Sequence, residues 1–161
     1  MVNEAAEVLF YHLERQPLDT VLPQLVERCV ERGWRTVIQT GSPERTGSID
    51  NLLWTWRDDS FLPHGTAADG DEADQPVFIT DEPLNPNSAT VRILLDGSDI
   101  SEPASYDRVV CVFDGRDAEN LTAARALWKR LSGEGCDCTY WQQDERGKWE
   151  KKAESGKPAA D

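Results

Sequence analysis

Glu7–Leu13 reads EVLFYHL and residues 35–40 read RTVIQT; between them Leu18, Val21, Leu22, Leu25, Val26, Cys29 and Val30 recur at three- and four-residue spacing. The first stretch is a run of β-formers, long enough for a largely buried strand. The middle stretch has the period of a helix with one apolar side. Thr20 is a candidate N-cap, which leaves Pro23 in the first turn where proline is tolerated, and Gly33 a candidate C-terminal stop. A strand, a helix of this length and a second apolar strand make a parallel, right-handed βαβ unit.

Working outward, residues 41–47 read as a Gly/Pro/Ser loop, followed by a helix over 48–57 with Ile49, Leu52, Leu53 and Trp56 on its apolar side. Residues 58–74 read as irregular, with a mobile acidic stretch at 69–74. Strands are predicted at 76–80, 91–96 and 108–113, a helix over 117–133, and a last strand at 138–143. The stretch from residue 151 onward, KAESGKPAAD from 152, reads as a disordered tail. Strands alternating with helices predict a three-layer α/β/α sandwich with a mainly parallel sheet, Rossmann-like, in a single domain over residues 1–150, with 151–161 as its tail.

Composition narrows the functional classes. The chain has 161 residues and a net charge of −13. Residues 1–115 contain 21 acids and 8 bases, the whole of that net charge, while residues 116–152 contain eight bases and seven acids. A phosphate backbone is repelled by such a surface, so no strong direct nucleic-acid binding is expected. The apolar runs, such as Arg92-Ile93-Leu94-Leu95, are far too short to span a membrane. Residues 1–6 are polar and acidic and lack the pattern of a secretion signal, so the cytoplasm is the expected compartment. Cys29 and Cys111 read as small buried hydrophobes, and Cys136 with Cys138 falls short of the four ligands of a structural zinc.

Catalytic motifs are hard to find. The loop from Gly41 to Ser48 resembles a phosphate loop only loosely: its glycines are one residue too far apart, no Lys precedes the Ser, and Glu44 would repel phosphate. No Gly-x-Gly-x-x-Gly follows the first strand, and there is no nucleophile elbow. Asp58-Asp59 reads as a solvated pair. His12 and His64 leave one catalytic alternative, a small nucleotide-dependent or hydrolytic α/β enzyme; the plainer reading of His12 is a buried, hydrogen-bonded ring. No cofactor is expected.

Six Trp residues, at 34, 54, 56, 128, 141 and 149, are many for this length. Trp34 and Trp54 are expected to fill the core. On a helical wheel of 117–133, Leu121, Ala124, Leu127 and Leu131 form the buried stripe, with Trp128 at its edge and Arg125 and Lys129 beside it on the polar side. No acid lies between Asn120 and Gly133. An apolar ledge next to two cations suits a ligand that joins an apolar group to carboxylates; a solvated helix face with a core-edge Trp has the same pattern.

The order of several short pieces then becomes informative: Phe10-Tyr11-His12-Leu13, Leu53-Trp54, Ser60-Phe61-Leu62-Pro63-His64-Gly65, Pro76-Val77, Ile93-Leu94-Leu95, Ala124-Arg125 with Trp128-Lys129, Gly135, and Tyr140-Trp141. Together, over residues 7–150, they resemble the chi subunit family of bacterial DNA polymerase III. The resemblance implies a non-catalytic accessory subunit of the clamp loader. It would grip the acidic C-terminal tail of single-stranded-DNA-binding protein, which ends in Pro-Phe. It would join the clamp loader through the small psi subunit or another component, and in some bacteria pair with a helicase-like repair protein. It also implies that Arg125, Trp128 and Lys129 hold the tail, with Phe113 and Leu121 beside them. Leu121 stands where a basic residue can occur. Trp54, Phe61 and Pro63 would face psi. The acidic stretch at 69–74 and the extended tail are departures from the family pattern.

Overall fold

The computed structural model describes residues 6–14, 16–56 and 62–155. Eight strands form one sheet: β1 (Glu7–Leu13), β2 (Thr36–Gln39), β3 (Gly65–Thr66), β4 (Val77–Thr80), β5 (Val91–Leu94), β6 (Arg108–Asp114), β7 (Asp137–Gln143) and β8 (Trp149–Glu154). Their order across the sheet is β3-β4-β2-β5-β6-β1-β7-β8, all parallel except β8, which runs antiparallel to β7. Three helices cover it: α1 (Leu18–Glu31), α2 (Pro43–Thr55) and α3 (Ala118–Gly133).

The central strands are buried on both faces: every residue of β2, β4 and β5 is buried, including the polar Thr36, Gln39, Thr80 and Arg92. Leu13, Ile38, Ile79, Ile93 and Val112 of one face pack with Val21, Leu22 and Val26 of α1 and Ile49 and Leu53 of α2. On the other face Phe10, Cys111, Phe113 and Cys138 pack with Ala124, Leu127 and Leu131 of α3. This is the expected three-layer α/β sandwich. Burial pushes the Cys111 thiol up to about 12, so it behaves as the small hydrophobe the sequence suggested.

The local readings differ from the structure in five places. α1 starts at Leu18 after Pro17, so Thr20 lies inside it and caps nothing, and Pro23 sits a turn deeper than expected. The C-terminal end is as read: Gly33 has φ +73, its N–H meets Val30 O at 3.0 Å and Trp34 N–H meets Cys29 O at 2.9 Å, a Schellman closure. β1 and β2 are parallel but not neighbours, because β5 and β6 insert between them. α2 begins at Pro43, inside the supposed loop: Ser42 accepts the Arg45 N–H at 3.1 Å and Pro43 takes the first helical position. Residues 69–74 form parts of two 3-10 turns, Ala67–Asp69 and Glu72–Asp74. Thr66 and Asp69 cap each other reciprocally, and Arg35 Nη1 donates to Ala73 O at 2.9 Å. Finally, residues 151–154 are not tail but part of β8, which bonds to β7 from Gln143–Trp149 to Thr139–Glu154.

Arg92 is the largest fully buried side chain, on central strand β5. Among the described residues it has no carboxylate partner. Instead Nε donates to Gln39 Oε1 at 2.9 Å, Nη1 to Leu84 O at 2.8 Å and Tyr106 Oη at 3.0 Å, and Nη2 to Glu82 O at 2.9 Å. It thereby pins the β4–β5 connection to the sheet, with a charge spread over four acceptors.

Candidate functional site

β1 lies between β6 and β7, with His12 opposite Phe113 on one side and Gln142 on the other, and Phe10 opposite Tyr140. Side chains two apart share a face, so Phe10, His12, Phe113, Tyr140 and Gln142 all point towards α3. The rings form one cluster: Phe10–Trp128 5.3 Å edge-on, Trp128–Tyr140 6.0 Å edge-on, Phe10–Tyr140 6.4 Å stacked, and Phe113–His12 5.2 Å. Such pairs are favourable beyond their buried area, so Trp128 is held in place while one side of it stays open.

α3 starts at Asp117, whose carboxylate accepts the N–H groups of Glu119 and Asn120 at 3.0 and 3.2 Å. From there the helical period carries Ala124, Leu127 and Leu131 into the core and leaves Arg125 and Lys129 exposed one turn apart. Between α3 and the sheet lies an open hollow of about 520 Å³, lined by His12, Arg125, Trp128, Tyr140, Gln142 and Ala153. Arg125 and Trp128 stand on the helix side, His12, Tyr140 and Gln142 form the floor, and Ala153 of β8 closes one edge.

Among the described residues Arg125 and Lys129 form no ion pair. The contrast with other arginines is direct: Arg130 is held by Asp99 at 2.6 Å and Glu134 at 3.2 Å, Arg108 by Glu7 at 3.2 Å and Arg116 by Asp114 at 3.1 Å. Burial pushes the Tyr140 hydroxyl up, opposed by the nearby positive charge of Arg125, so the phenol faces the hollow in its neutral form.

Of the tail-binding residues read from sequence, the structure brings Arg125 and Trp128 together around the hollow. Lys129 is exposed but does not line it. Phe113 is buried behind His12 and Tyr140, and Leu121 is half-buried against the core. His12, Tyr140, Gln142 and Ala153 were missed as lining. His12 and Tyr140 were both in the recognised fragments; the missing step was the parallel register that places them on one face.

The remaining assignments lie elsewhere. Trp54 is not core: it is 50% exposed, with its ring 4.5 Å from that of His64. Pro63 is half-exposed beside it in the chain, and Phe61, like Asp58 and Asp59, lies outside the described residues. Trp34 packs partly buried against the core, with Arg108 over its ring at 4.1 Å. His64 is tied down, Nδ1 facing Leu62 O at 2.5 Å and Nε2 facing Asp50 O at 3.2 Å and Asp50 Oδ1 at 3.1 Å. His12 and His64 do not meet: β6, β5, β2 and β4 stand between β1 and β3, a separation on the order of 20 Å. A larger depression at the opposite end of β1, β6 and β7 is lined by Glu7, Glu102, Asp107, Glu134 and Asp137, with Arg108 paired to Glu7 as its one cation among the described residues, and would repel an anionic ligand. Among the described residues, no helix is long and apolar enough to cross a membrane.

Residues 6–139 match the family model described as DNA polymerase III chi subunit, HolC. A relative named Probable DNA polymerase III subunit chi, from Rickettsia prowazekii (strain Madrid E), is 27% identical over 148 residues, covering 88% of each chain. The match takes in the whole of α3 and every strand of the sheet up to the middle of β7, and with it the chain belongs to the DNA polymerase III chi subunit family, the accessory, non-catalytic subunits of that polymerase.

Proposed function

We propose that this protein is a replisome adaptor that holds the acidic C-terminal tail of single-stranded-DNA-binding protein in the hollow beside α3 and links it to the clamp loader. The observation that carries this reading is Arg125: an exposed guanidinium with no ion-pair partner among the described residues, at the lip of a hollow walled by Trp128 and Tyr140. Its fork suits a carboxylate, and the indole and phenol suit the apolar side chain next to it. Lys129, one turn on, adds a second cation for the acidic residues upstream. Phe113 contributes by supporting the floor from behind, and Leu121 by supporting the helix. The clamp-loader or psi surface is assigned to the exposed Trp54 and Pro63, with Phe61 between them in the sequence; a helicase-like repair protein is a further partner, and the setting is the cytoplasm.

Affinity for a single tail is expected to be micromolar, raised by avidity when several tails are present. Calorimetry with a tail peptide tests the site. Arg125→Ala should weaken binding tenfold or more, since a hydrogen bond to a charged group is worth about 1.5–3 kcal/mol. The melting temperature should not move, because Arg125 has no ion pair to lose among the described residues. Equal affinity for wild type and Arg125→Ala would remove Arg125 from the site. The enzyme alternative predicts a rise in melting temperature with nucleotide or Mg²⁺, since a ligand at 100 times its Kd adds about 2.7 kcal/mol.

A further inference from the structure

The floor of the hollow contains a hydrogen bond whose direction can be deduced. Tyr140 Oη lies 2.6 Å from His12 Nδ1. The other ring nitrogen, Nε2, is buried, makes no hydrogen bond and is 3.4 Å from the Glu14 carboxylate. The Glu14 carboxylate on the Nε2 side favours the tautomer with its proton there. Nδ1 then offers a lone pair, and the Tyr140 hydroxyl donates its single proton to it.

The ring is not free to turn away. A Cβ on Gly115 would fall 1.7 Å from His12 Nε2 and 2.2 Å from Cδ2, so the Gly115 backbone lies directly against the imidazole. Phe113 and Tyr140 flank it at 5.2 and 5.8 Å between ring centroids. The hydroxyl of Tyr140 therefore has its donor spent on His12 and only lone pairs left for a ligand.

We propose that Tyr140, oriented by His12, is a second binding residue of the Arg125 site, and that it accepts the main-chain N–H of the ligand's C-terminal residue. This rests on the reading of the site given above. A lone-pair-only oxygen repels a carboxylate, so the ligand's terminal carboxylate goes to Arg125. The N–H of the same residue is the donor nearest to that carboxylate in any peptide. The two contacts together fix the direction in which the chain end enters and select a free, amide-linked C-terminal residue. Tyr140 lies past the stretch that matches the family model, residues 6–139. His12 touches the ligand only through Tyr140 and is a positioning residue.

The test uses two acidic hexapeptides ending in Pro-Phe. They differ in one backbone group: the second has an ester oxygen in place of the last N–H. Wild type should bind the amide peptide about fivefold or more tightly than the ester, the value of one ordinary hydrogen bond. In Tyr140→Phe the amide peptide should weaken to the level of the ester, so that the ratio falls to about one. His12→Leu should lose discrimination in the same way. His12→Asn, whose side-chain oxygen can stand where Nδ1 stands, should recover it, which a merely structural histidine would not do. If wild type binds both peptides equally, or Tyr140→Phe still discriminates as wild type does, Tyr140 is not the acceptor and the proposal is overturned while the Arg125 site stands. If wild type binds neither peptide, the site reading itself fails and takes this proposal with it.

Discussion

Residue 115 has to be glycine for want of space. Its backbone is not in the left-handed region; the constraint is the His12 ring, with three of its atoms within 2.6 Å of where a Cβ would stand. Gly115→Ala must therefore drive the imidazole out of its place between Phe113 and Tyr140. Overpacking of this kind costs about 1–3 kcal/mol, and the 2.6 Å bond from Tyr140 to His12 should be lost with it. Thermal unfolding should show the lowered stability, and the amide-over-ester preference should vanish although neither Arg125 nor Trp128 has been touched. A variant that keeps wild-type stability and preference would mean that the ring has room the geometry denies it. The same scale explains why Arg125 is available in so acidic a chain. Four of the described arginines are neutralised by nearby acids: Arg45 by Asp96, Arg108 by Glu7, Arg116 by Asp114, and Arg130 by Asp99 and Glu134. Arg125 escapes because α3 has no acid between Asn120 and Gly133. That was readable from sequence, as was the place of Trp128 at the edge of the buried stripe. The exposure of Trp54 was readable too, though Trp54 was expected in the core: the stripe of Ile49, Leu52, Leu53 and Trp56 leaves position 54 off the apolar side, and it is those four that pack into or against the core.

The elements were legible to the extent that their signals are local. β1, α1, β6, α3 and β7 have long runs of one period, and the structure keeps them almost where the periods placed them. The start of α2 was misread because Ser42-Pro43 is compatible with a turn as well as with a cap followed by a first helical proline. β8 was misread for a different reason. It is an edge strand with five of its six residues exposed, so it has no apolar alternation, and its pairing depends on β7, whose presence sequence periodicity cannot connect to it. The consequence is functional, since Ala153 closes the rim of the hollow. Ala153→Glu should place a carboxylate facing the ligand's own. At about 5 Å in water-like surroundings the repulsion is about 0.8 kcal/mol, so tail-peptide affinity should fall about fourfold, with the loss shrinking as salt is added. Ala153→Gln, similar in size and uncharged, separates repulsion from blockage: equal losses for the two variants would mean that the edge matters only as space.

The charge of the molecule as a whole works against the ligand proposed for it. Its net charge of −13 comes entirely from residues 1–115, while the hollow offers one guanidinium and a neighbouring lysine. The two fields act over different distances. At about 10 mM salt the screening length is about 30 Å, so an approaching acidic peptide feels the entire negative domain; at 0.15 M it is about 8 Å, and mostly the local cations remain in view. Once bound, the peptide end is in direct contact with Arg125, where attraction is strongest and also weakened by salt. Association and dissociation should therefore respond differently. Raising salt from 10 to 150 mM should speed association, because long-range repulsion is screened, and should speed dissociation more, because the contact pair is loosened, so that net affinity falls. Stopped-flow measurement with a labelled tail peptide reads both rates. Arg125→Ala should keep the salt-accelerated association, which belongs to the whole molecule, and lose most of the salt effect on dissociation, which belongs to the site. Association that slows with salt in the wild type would mean that the approach is steered by a positive patch wider than α3, and the balance of charge assigned here between domain and site would be wrong.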